Sequence, residues 1–486
     1  MKPALFWTLL LLFACGCQVG PQYDPPVVQA PEAWKHSQTN GANPPPVNNW
    51  WEVFEDCILN DLEQQAVLNN PNLFAALERV IQARALAKVA RADLFPQLNL
   101  MPSYSNQIVL SKLFGTSAAA SVSSVQLPNF LREHQLAYAL PLDLSYQLDL
   151  WGLLQSAYQS ELYNAQAAEE NFRTALLTLT TDLAYSYFRL RTLDAQLDLY
   201  QATIKTRQKA LEINQSRYEG KIAIYSDVSR AALELTNLEA EYQEAQRQRD
   251  VEENLIATLT GQPAPAFYIT KNPLKIAPPT IPAGLPSEVL LQRPDVAEAE
   301  RRMASQNALV RVAYASFFPS ISLTGSLGFS SPDLAQFLRW KSRFWMLGVN
   351  IAQTVFDGGR KYYDLQYAWS RFREADDEYQ QQVLTAFQEV EDALAGIQWY
   401  AKEYLKIEQS VTSAKTTYKI THDRYLNGLT FYLDVVNSEQ EELVAERNLI
   451  ILLGQKYSAT LQLIKALGGA WSLPDANSGQ ECPESP

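Results

Sequence analysis

Residues 70–105 read NPNLFAALERVIQARALAKVARADLFPQLNLMPSYS, and residues 293–328 read RPDVAEAERRMASQNALVRVAYASFFPSISLTGSLG. The two stretches align without a gap. Pro71 meets Pro294, Arg79 meets Arg302, Val89-Ala90 meets Val312-Ala313, and Phe95-Pro96 meets Phe318-Pro319. A second pair repeats at a different offset: Arg217-Tyr218 with Arg424-Tyr425, and Tyr225-Ser-Asp-Val228 with Tyr432-Leu-Asp-Val435. An internal repeat of this kind sets the fold before any local reading does. Each half runs helix, strands, then a very long helix pair, so the chain is two similar halves of one unit.

The strands follow directly from the repeated stretch. Ile321, Leu323, Leu327 and Phe329 alternate with serine, threonine and glycine, and Leu98, Leu100 and Tyr104 alternate with Gln97, Asn99, Ser103 and Ser105. A third run alternates Leu136, Tyr138, Leu140, Leu142, Leu144, Tyr146 and Leu148 with small or polar residues. The fourth alternates Trp345, Leu347, Val349 and Ile351 with Met346, Gly348, Asn350 and Ala352. Lipid on one face and water on the other produces this period-two pattern in outer-membrane strands. A half-buried soluble sheet is the plainer alternative. Lipid cannot satisfy a free sheet edge, and single-chain barrels start at about eight strands. Four spanning strands therefore require several chains to share one barrel, with Gln107–Gln135 and Ser330–Arg343 as the outward loops.

The helices are too long for an ordinary globular domain. No proline occurs from Leu142 to Gln262 or from Asp333 to Leu473, and neither proline nor glycine from Leu153 to Glu219. One helix from Leu153 to Ser216 spans roughly 95 Å at about 1.5 Å per residue. Leu176, Leu183, Leu190 and Leu197 occupy one heptad position, and Leu179, Ser186, Leu193 and Tyr200 another. Arg173, Asp182, Arg189 and Asp194 fall off that seam. The pattern breaks at Gly220 and Gly428, which makes each half a strand pair with a helical hairpin tipped by the Arg-Tyr motif. Between the halves, residues 263–286 hold seven prolines and read as an extended linker.

The bulk numbers exclude several function classes. The 486 residues carry a formal charge of −13, which argues against a nucleic-acid partner. Only three His and four Met are present, and no zinc-protease, P-loop or nucleophile-elbow motif occurs. No catalytic, cofactor-binding or metal site is expected, and the scarcity of Met and His argues against a dedicated copper or silver duct. Lys2 precedes an apolar run, Ala4 to Ala14, too short to cross a bilayer and shaped like a secretory signal. Cys17 follows Ala14-Cys15-Gly16 and resembles a bacterial lipoprotein cleavage site, which makes residues 1–16 the signal peptide. An ordinary cleaved signal is the alternative. Cys57 and Cys482 remain; an exported chain allows a disulfide, but Cys57 sits in an amphipathic stretch and reads as a buried thiol.

Taken together, these features resemble the TolC-like outer membrane factors, in the lipoprotein branch with OprM and NodT. The residues carrying the resemblance run from about 17 to 471. They include CQVGPQYDPP from Cys17, Trp50-Trp51, Phe54, Asp56, Leu59, Leu62, Ala66, Asn70-Pro71, Leu73, Ala76, Arg79 and Pro96. Asp149-Leu-Trp-Gly152 and Phe356-Asp-Gly-Gly-Arg360 resemble the strand-to-helix junctions, and Phe387 to Asp392 the second-repeat helix. The resemblance implies a mixed α+β membrane protein in which long coiled-coil hairpins form a periplasmic tunnel. Four transmembrane β-strands per chain would enter a shared twelve-stranded barrel in a homotrimer. By this reading, residues 17–48 form a lipidated extended segment and 49–262 the first repeat, with strands near 97–106 and 136–149 and a hairpin over 153–261. Residues 287–471 form the second repeat, with strands near 320–329 and 344–355 and a hairpin over 359–468, and 472–486 a tail.

The function it implies is the outer-membrane exit duct of a tripartite efflux system. The duct would pass small molecules such as drugs, with a periplasmic adaptor and an inner-membrane proton-driven transporter as partners. The alternatives are the outer component of a type I protein or peptide secretion system and, in another class, a pore-free structural coiled-coil lipoprotein. Carried over residue by residue, Asp227, Tyr425 and Asp434 fall at the periplasmic gate, where three copies of a carboxylate would form a cation-favouring ring. Arg217, Gly220, Arg424 and Gly428 fall at the hairpin tips that contact the adaptor. Asp227 and Asp434 also sit where helices restart, a position that carboxylates stabilise by about 0.3–1 kcal/mol on their own. Three departures bear on the gate: Thr430 stands where some relatives carry Arg, Lys221 rather than Gly220 matches Gly428, and Leu153 replaces the basic residue seen as Arg360.

Overall fold

The computed structural model describes residues 19–26, 30–31, 33–36, 49–112, 130–274, 277–282 and 292–469. Seven helices are described: α1 (Cys57–Asn69), α2 (Pro71–Ala92), α3 (Leu153–Glu219), α4 (Tyr225–Leu259), α5 (Pro294–Ala315), α6 (Arg360–Leu426) and α7 (Tyr432–Ala466). The strands are β1 (Gln97–Leu100), β2 (Ser103–Lys112), β3 (Phe130–Leu148), β4 (Ser320–Ser331) and β5 (Arg343–Ala352). The duplication reaches into the helix lengths. α3 and α6 are each 67 residues, α4 and α7 each 35, and α2 and α5 each 22. At about 1.5 Å per residue the long helices run roughly 100 Å.

Two compact units divide these elements, and the long helices contribute to both. The first comprises Met1–Asp24, Ala83–Ala165 and Met303–Ala375 and contains the sheet. All pairings are antiparallel, in the order β1-β3-β4-β5, with β2 also on β3. The first expected strand is broken at Met101–Pro102, since proline cannot donate to a ladder, and its two pieces share β3 as partner. At one end of the sheet Gln97 faces Ser145, Leu148 faces Ile321, and Ser320 faces Ala352. Every strand terminus that leads to or from a helix therefore lies at that end.

The second unit comprises Pro25–Gln82, Gln166–Arg302 and Asp376–Pro486. Its main core joins Trp50, Trp51, Leu59, Leu62 and Ala66 to Leu179, Leu183, Tyr187 and Leu190 of α3, with Ile256 and Tyr457. From Leu179 to Tyr200 the heptad seam is buried, Ser186 included, and Leu176 is half-buried against the same core. Asp194, off the seam, is buried as well: it accepts from Arg249 at 2.8 Å, pairs with Arg191 at 3.1 Å and accepts the Asn272 N–H at 3.0 Å. The cause is the proline-rich stretch. Ile269 is buried in the same core, and the carbonyls of Ile269 and Thr270 are taken up by Arg249 and Arg191. Irregular backbone inside a core must find polar partners, and these buried arginines supply them. The expected linker is thus strapped onto the helices over the residues described.

Two repeat-related residues close the hairpins in the same way. Asn70 donates to the carbonyl of Leu259, the last residue of α4, at 2.8 Å, and Arg293 donates to that of Ala466, the last of α7, at 2.9 Å. The expectation for Cys57 is overturned: it is exposed and disulfide-bonded. The reason is its place at the first position of α1, whose buried face is carried by Leu59, Leu62, Glu63 and Ala66 instead.

Candidate functional site

Antiparallel partners share a face, so the register assigns the faces of the sheet. One face gathers Leu100, Leu142, Leu327 and Trp345, then Tyr146, Leu323 and Val349, then Leu148, Ile321 and Ile351. The other gathers Asn99, Asp143 and Ser326, then Gln97, Ser145, Thr324 and Gly348. Along β5 the apolar row is bare: Trp345 is 78% exposed, and Leu347, Val349 and Ile351 65% each. A contiguous apolar face of this extent marks a lipid or protein contact. The outer edges of β1/β2 and of β5 have no strand partner among the described residues. No described helix is long and apolar enough to cross a membrane.

Aromatic groups flank the sheet. Tyr104 and Tyr138 sit 5.0 Å apart, with Phe337 6.3 Å from Tyr138. At the helix-joined end Trp151 stacks on Phe318 at 4.8 Å and donates to the Pro319 carbonyl at 2.9 Å. Both junctions into the long helices use an aspartate and a left-handed glycine. Asp149 accepts the Gln155 N–H at 2.7 Å, with Gly152 at φ 76°. Asp357 accepts from Gly359 and Lys361, with Gly359 at φ 90°. These amide donors, Lys361 foremost, hold the Asp357 carboxyl below its usual range. Val19, two residues beyond Cys17, donates to the Trp151 carbonyl at 3.2 Å. Cys17 itself lies outside the described residues.

In the second unit the hairpins turn through matched backbones. The N–H of Ile222 reaches the carbonyl of Arg217 at 2.8 Å, and that of Leu429 reaches Arg424 at 2.9 Å. Gly428 takes φ 72°, and Lys221 takes φ 59° in the matching place. Gly220 precedes the left-handed residue rather than occupying it.

Side chains at the tips diverge. Arg217 lies over the ring of Tyr425 at 4.7 Å, and the Tyr425 hydroxyl donates to Asn214 at 3.1 Å. Two of the expected residues, Arg217 and Tyr425, are thus brought together across the two hairpins. The Arg424 side chain is exposed, with no ion pair or hydrogen bond among the described residues. Asp434 accepts from the Thr430 hydroxyl and from the Phe431 N–H, the local cap. Asp227 sits opposite Ala223, which has no hydroxyl, and its carboxylate has no hydrogen-bond partner among the described residues. Asp227 and Asp434 do not bond each other.

Sequence reading misses two residues of this site. Asn214 is buried, anchors its amide on the Ala210 carbonyl at 2.8 Å, and presents its oxygen to Tyr425. Its spacing three residues before Arg217 puts both on one helix face, a signal that was available. Arg207, 4% exposed, donates to the Glu234 carbonyl of α4 at 2.7 Å and to Gln440 of α7 at 2.9 Å, with Glu439 3.7 Å away. Burial raises the Glu439 carboxyl above its ordinary range despite Arg207. No group of metal-ligating side chains occurs among the described residues.

Residues 62–262 and 285–469 match the family of outer membrane efflux proteins, one block for each half. The chain belongs to that family. It is similar to the pyoverdine export outer membrane protein OpmQ of Pseudomonas aeruginosa, 29% identical over 471 residues and covering 96% of each chain. It is equally similar to the solvent efflux pump outer membrane protein SrpC of Pseudomonas putida, 29% identical over 95% of this chain and 97% of that one. Among solved structures, the CmeC outer membrane channel of Campylobacter jejuni superposes with a TM-score of 0.85 at 25% identity, covering 95% of this chain and 96% of that one. The open MtrE channel of Neisseria gonorrhoeae gives 0.80 at 27%, covering 93% and 98%. The family member described here is an outer-membrane efflux channel that extends into the periplasm, with the mixed α+β fold of such channels.

Proposed function

We propose that this chain is the passive exit duct of a tripartite pump, a homotrimer whose shared barrel passes small molecules out of the cell. The observation that carries the reading is the sheet: one face is apolar and exposed, and neither edge has a strand partner among the described residues. In lipid only closure satisfies such edges, and three copies of four spans close a barrel of ordinary size. A pore-free coiled-coil protein would have no use for that face. The duct performs no chemistry of its own. Export is driven by an inner-membrane proton-driven transporter through a periplasmic adaptor that grips the hairpin tips at Arg217, Gly220, Arg424 and Gly428. Relatives named for solvent and pyoverdine export favour small cargo over secreted protein.

The same reading makes Cys17 the lipidated residue. Val19, two residues beyond Cys17, is tied to Trp151 at the junction where strands become helices, which supports an anchor at this end of the chain. Asp227, Tyr425 and Asp434 form the gate region, in which Tyr425 latches one hairpin to the other through Arg217 and Asn214. Native mass spectrometry of the detergent-purified mature protein tests the assembly: three chains, each beginning at a lipidated Cys17, are expected. A monomer without lipid sinks it. Deleting the gene is expected to sensitise cells to drugs or detergents when the partner pump is expressed.

A further inference from the structure

The register that gives the sheet an apolar face also fixes the composition of the other one. Between the Ser103–Ala139 pair and the Ser320–Ala352 pair, that second face carries glutamine, asparagine, serine, threonine and small or apolar residues, and a single charge, Asp143. Asp143 is the sixth of the eleven pairs that join β3 to β4, with Ser326 on one side and Asn99 of β1 on the other. It lies about 17 Å along the strand from Leu148, at about 3.4 Å per residue, half-way up this part of the sheet.

No described group neutralises this charge. The half-buried Asp143 side chain makes no ion pair or hydrogen bond among the described residues. The next carboxylate of the same parity, Asp149, lies past the strand end and is held differently: it accepts the Gln155 N–H at 2.7 Å and shares a cavity of 330 Å³ with Lys361, a charge of opposite sign. A bare carboxylate half-way across a membrane sheet is tolerated where water faces it and is costly where lipid does. The face that carries Asp143 is therefore the wet one.

We propose that Asp143 is the charge filter of the barrel. In the shared trimeric barrel, on which this inference rests, its three copies form one negative ring half-way across the membrane, which favours cationic and neutral cargo over anionic cargo. Twelve strands about 4.8 Å apart and tilted by about 40° give a radius near 12 Å, so the backbones of the three copies stand about 20 Å from one another. Salt decides how far the ring acts. The screening length is about 30 Å at 0.01 M, where the three fields merge across the lumen, and about 3 Å at 1 M, where each copy acts only on its own surroundings.

Reversal potentials of the full-length channel in planar bilayers, under a KCl gradient, test the filter. The parent for this measurement carries Asp227→Ala and Asp434→Ala, so that the hairpin tips contribute no carboxylate. Adding Asp143→Asn, which keeps the size and polarity of the side chain, is expected to lower the potassium-to-chloride permeability ratio about twofold or more in dilute salt and to leave it unchanged near 1 M. Asp143→Lys is expected to turn the dilute-salt preference toward chloride. Asp143→Cys is expected to react with a water-soluble cationic methanethiosulfonate added to conducting channels, seen as a step in current that the parent does not show. A ratio that ignores both charge substitutions overturns the filter alone, and so does a cysteine reached only by a lipid-soluble maleimide. A parent that gives neither a trimer in native mass spectrometry nor a current overturns the shared barrel and the filter together.

Discussion

Where the first hairpin turns, Lys221 takes the left-handed conformation that Gly428 takes in the second, and the closing hydrogen bonds match, 2.8 Å from Ile222 to Arg217 and 2.9 Å from Leu429 to Arg424. The side chains diverge over the same few residues. At the second tip Tyr425 is held by Arg217 and Asn214, Tyr432 is buried, and Asp434 is capped by Thr430. At the first tip Tyr218 and Tyr225 pair at 5.4 Å but remain exposed, and Asp227 is uncapped. Duplication copied the backbone and left the two tips with separate tasks. The second tip is fastened down, and the first supplies the fastener.

Arg207 is the test with the largest expected effect. Its repeat counterpart is Ala414, so the second repeat has no equivalent of this arginine. Removing one partner of a buried charged network costs about 3–5 kcal/mol. Arg207→Ala is therefore expected to lower the melting temperature sharply and to loosen the tips, read as a rise in single-channel conductance. Lys221→Ala, an exposed tip cation without such partners, is the control and is expected to stay within about 0.5 kcal/mol. Equal melting curves for the two variants would dissolve the distinction between fastened and fastening tips.

The pH dependence of the second hairpin follows from Glu439, which faces Arg207. Burial raises its carboxyl above the ordinary glutamate value of 4.5. A raised folded-state value means that the stability contributed by this group is fully present below the unfolded value and is lost as pH rises through the folded one. Glu439→Gln, which keeps an acceptor for Arg207 without the buried charge, is expected to melt about 1–3 °C above the parent at pH 7–8. The gap should close near pH 4. A constant gap across that range would show that Glu439 does not titrate between the two states.

The sheet, the hairpins and the duplication were legible in the sequence because they rest on local periodicity. Leucines and tyrosines alternate in the strands, heptads run along α3, and proline is absent where helices run. The family could be named from the same residues. What the sequence withheld depends on contacts between distant positions. Asn214 meets Tyr425 across 211 residues, and Arg207 meets Gln440 across 233. Neither residue has a repeat counterpart of its own kind, so the duplication gave no hint. Asp194 falls off the heptad seam, which accounts for one helix face only. Its burial comes from the proline-rich stretch, whose carbonyls and N–H groups draw Arg191, Arg249 and Asp194 inward.

The aspartates separate cap from gate. Asp434→Ala removes the acceptor of Thr430 and of the Phe431 N–H and is expected to cost about 1 kcal/mol of stability. Asp227→Ala has no such bond to lose. If Asp227 lines the aperture, its removal is expected to change conduction without changing the melting curve, raising conductance or lowering cation preference. Combining both substitutions should add the two effects. Parental currents in Asp227→Ala would remove that residue from the gate and leave Asp434 as a helix cap alone. Tyr425→Phe is expected to lose about 1 kcal/mol through the Asn214 bond, whereas Tyr218→Phe, whose hydroxyl has no such partner among the described residues, is expected to be neutral.

The smallest expected effect concerns the turns themselves. A non-glycine residue held at positive φ costs about 1 kcal/mol relative to glycine, and Lys221 carries that cost at the first tip. Lys221→Gly removes it but adds freedom to the unfolded chain, which offsets about 0.5–1 kcal/mol. The net gain is therefore a few tenths of a kcal/mol at most. At the second tip Gly428 has open space around the place a Cβ would occupy, so Gly428→Ala is opposed by backbone conformation alone. It is expected to cost about 1 kcal/mol less the unfolded-state gain, again a few tenths. Hydrogen exchange at the Ile222 and Leu429 amides, which close the two turns, reads both changes locally. Protection should rise slightly at Ile222 in Lys221→Gly and fall slightly at Leu429 in Gly428→Ala. A large loss at Leu429 would mean that the second tip depends on its glycine for more than backbone freedom, and the two turns would then be alike in outline only.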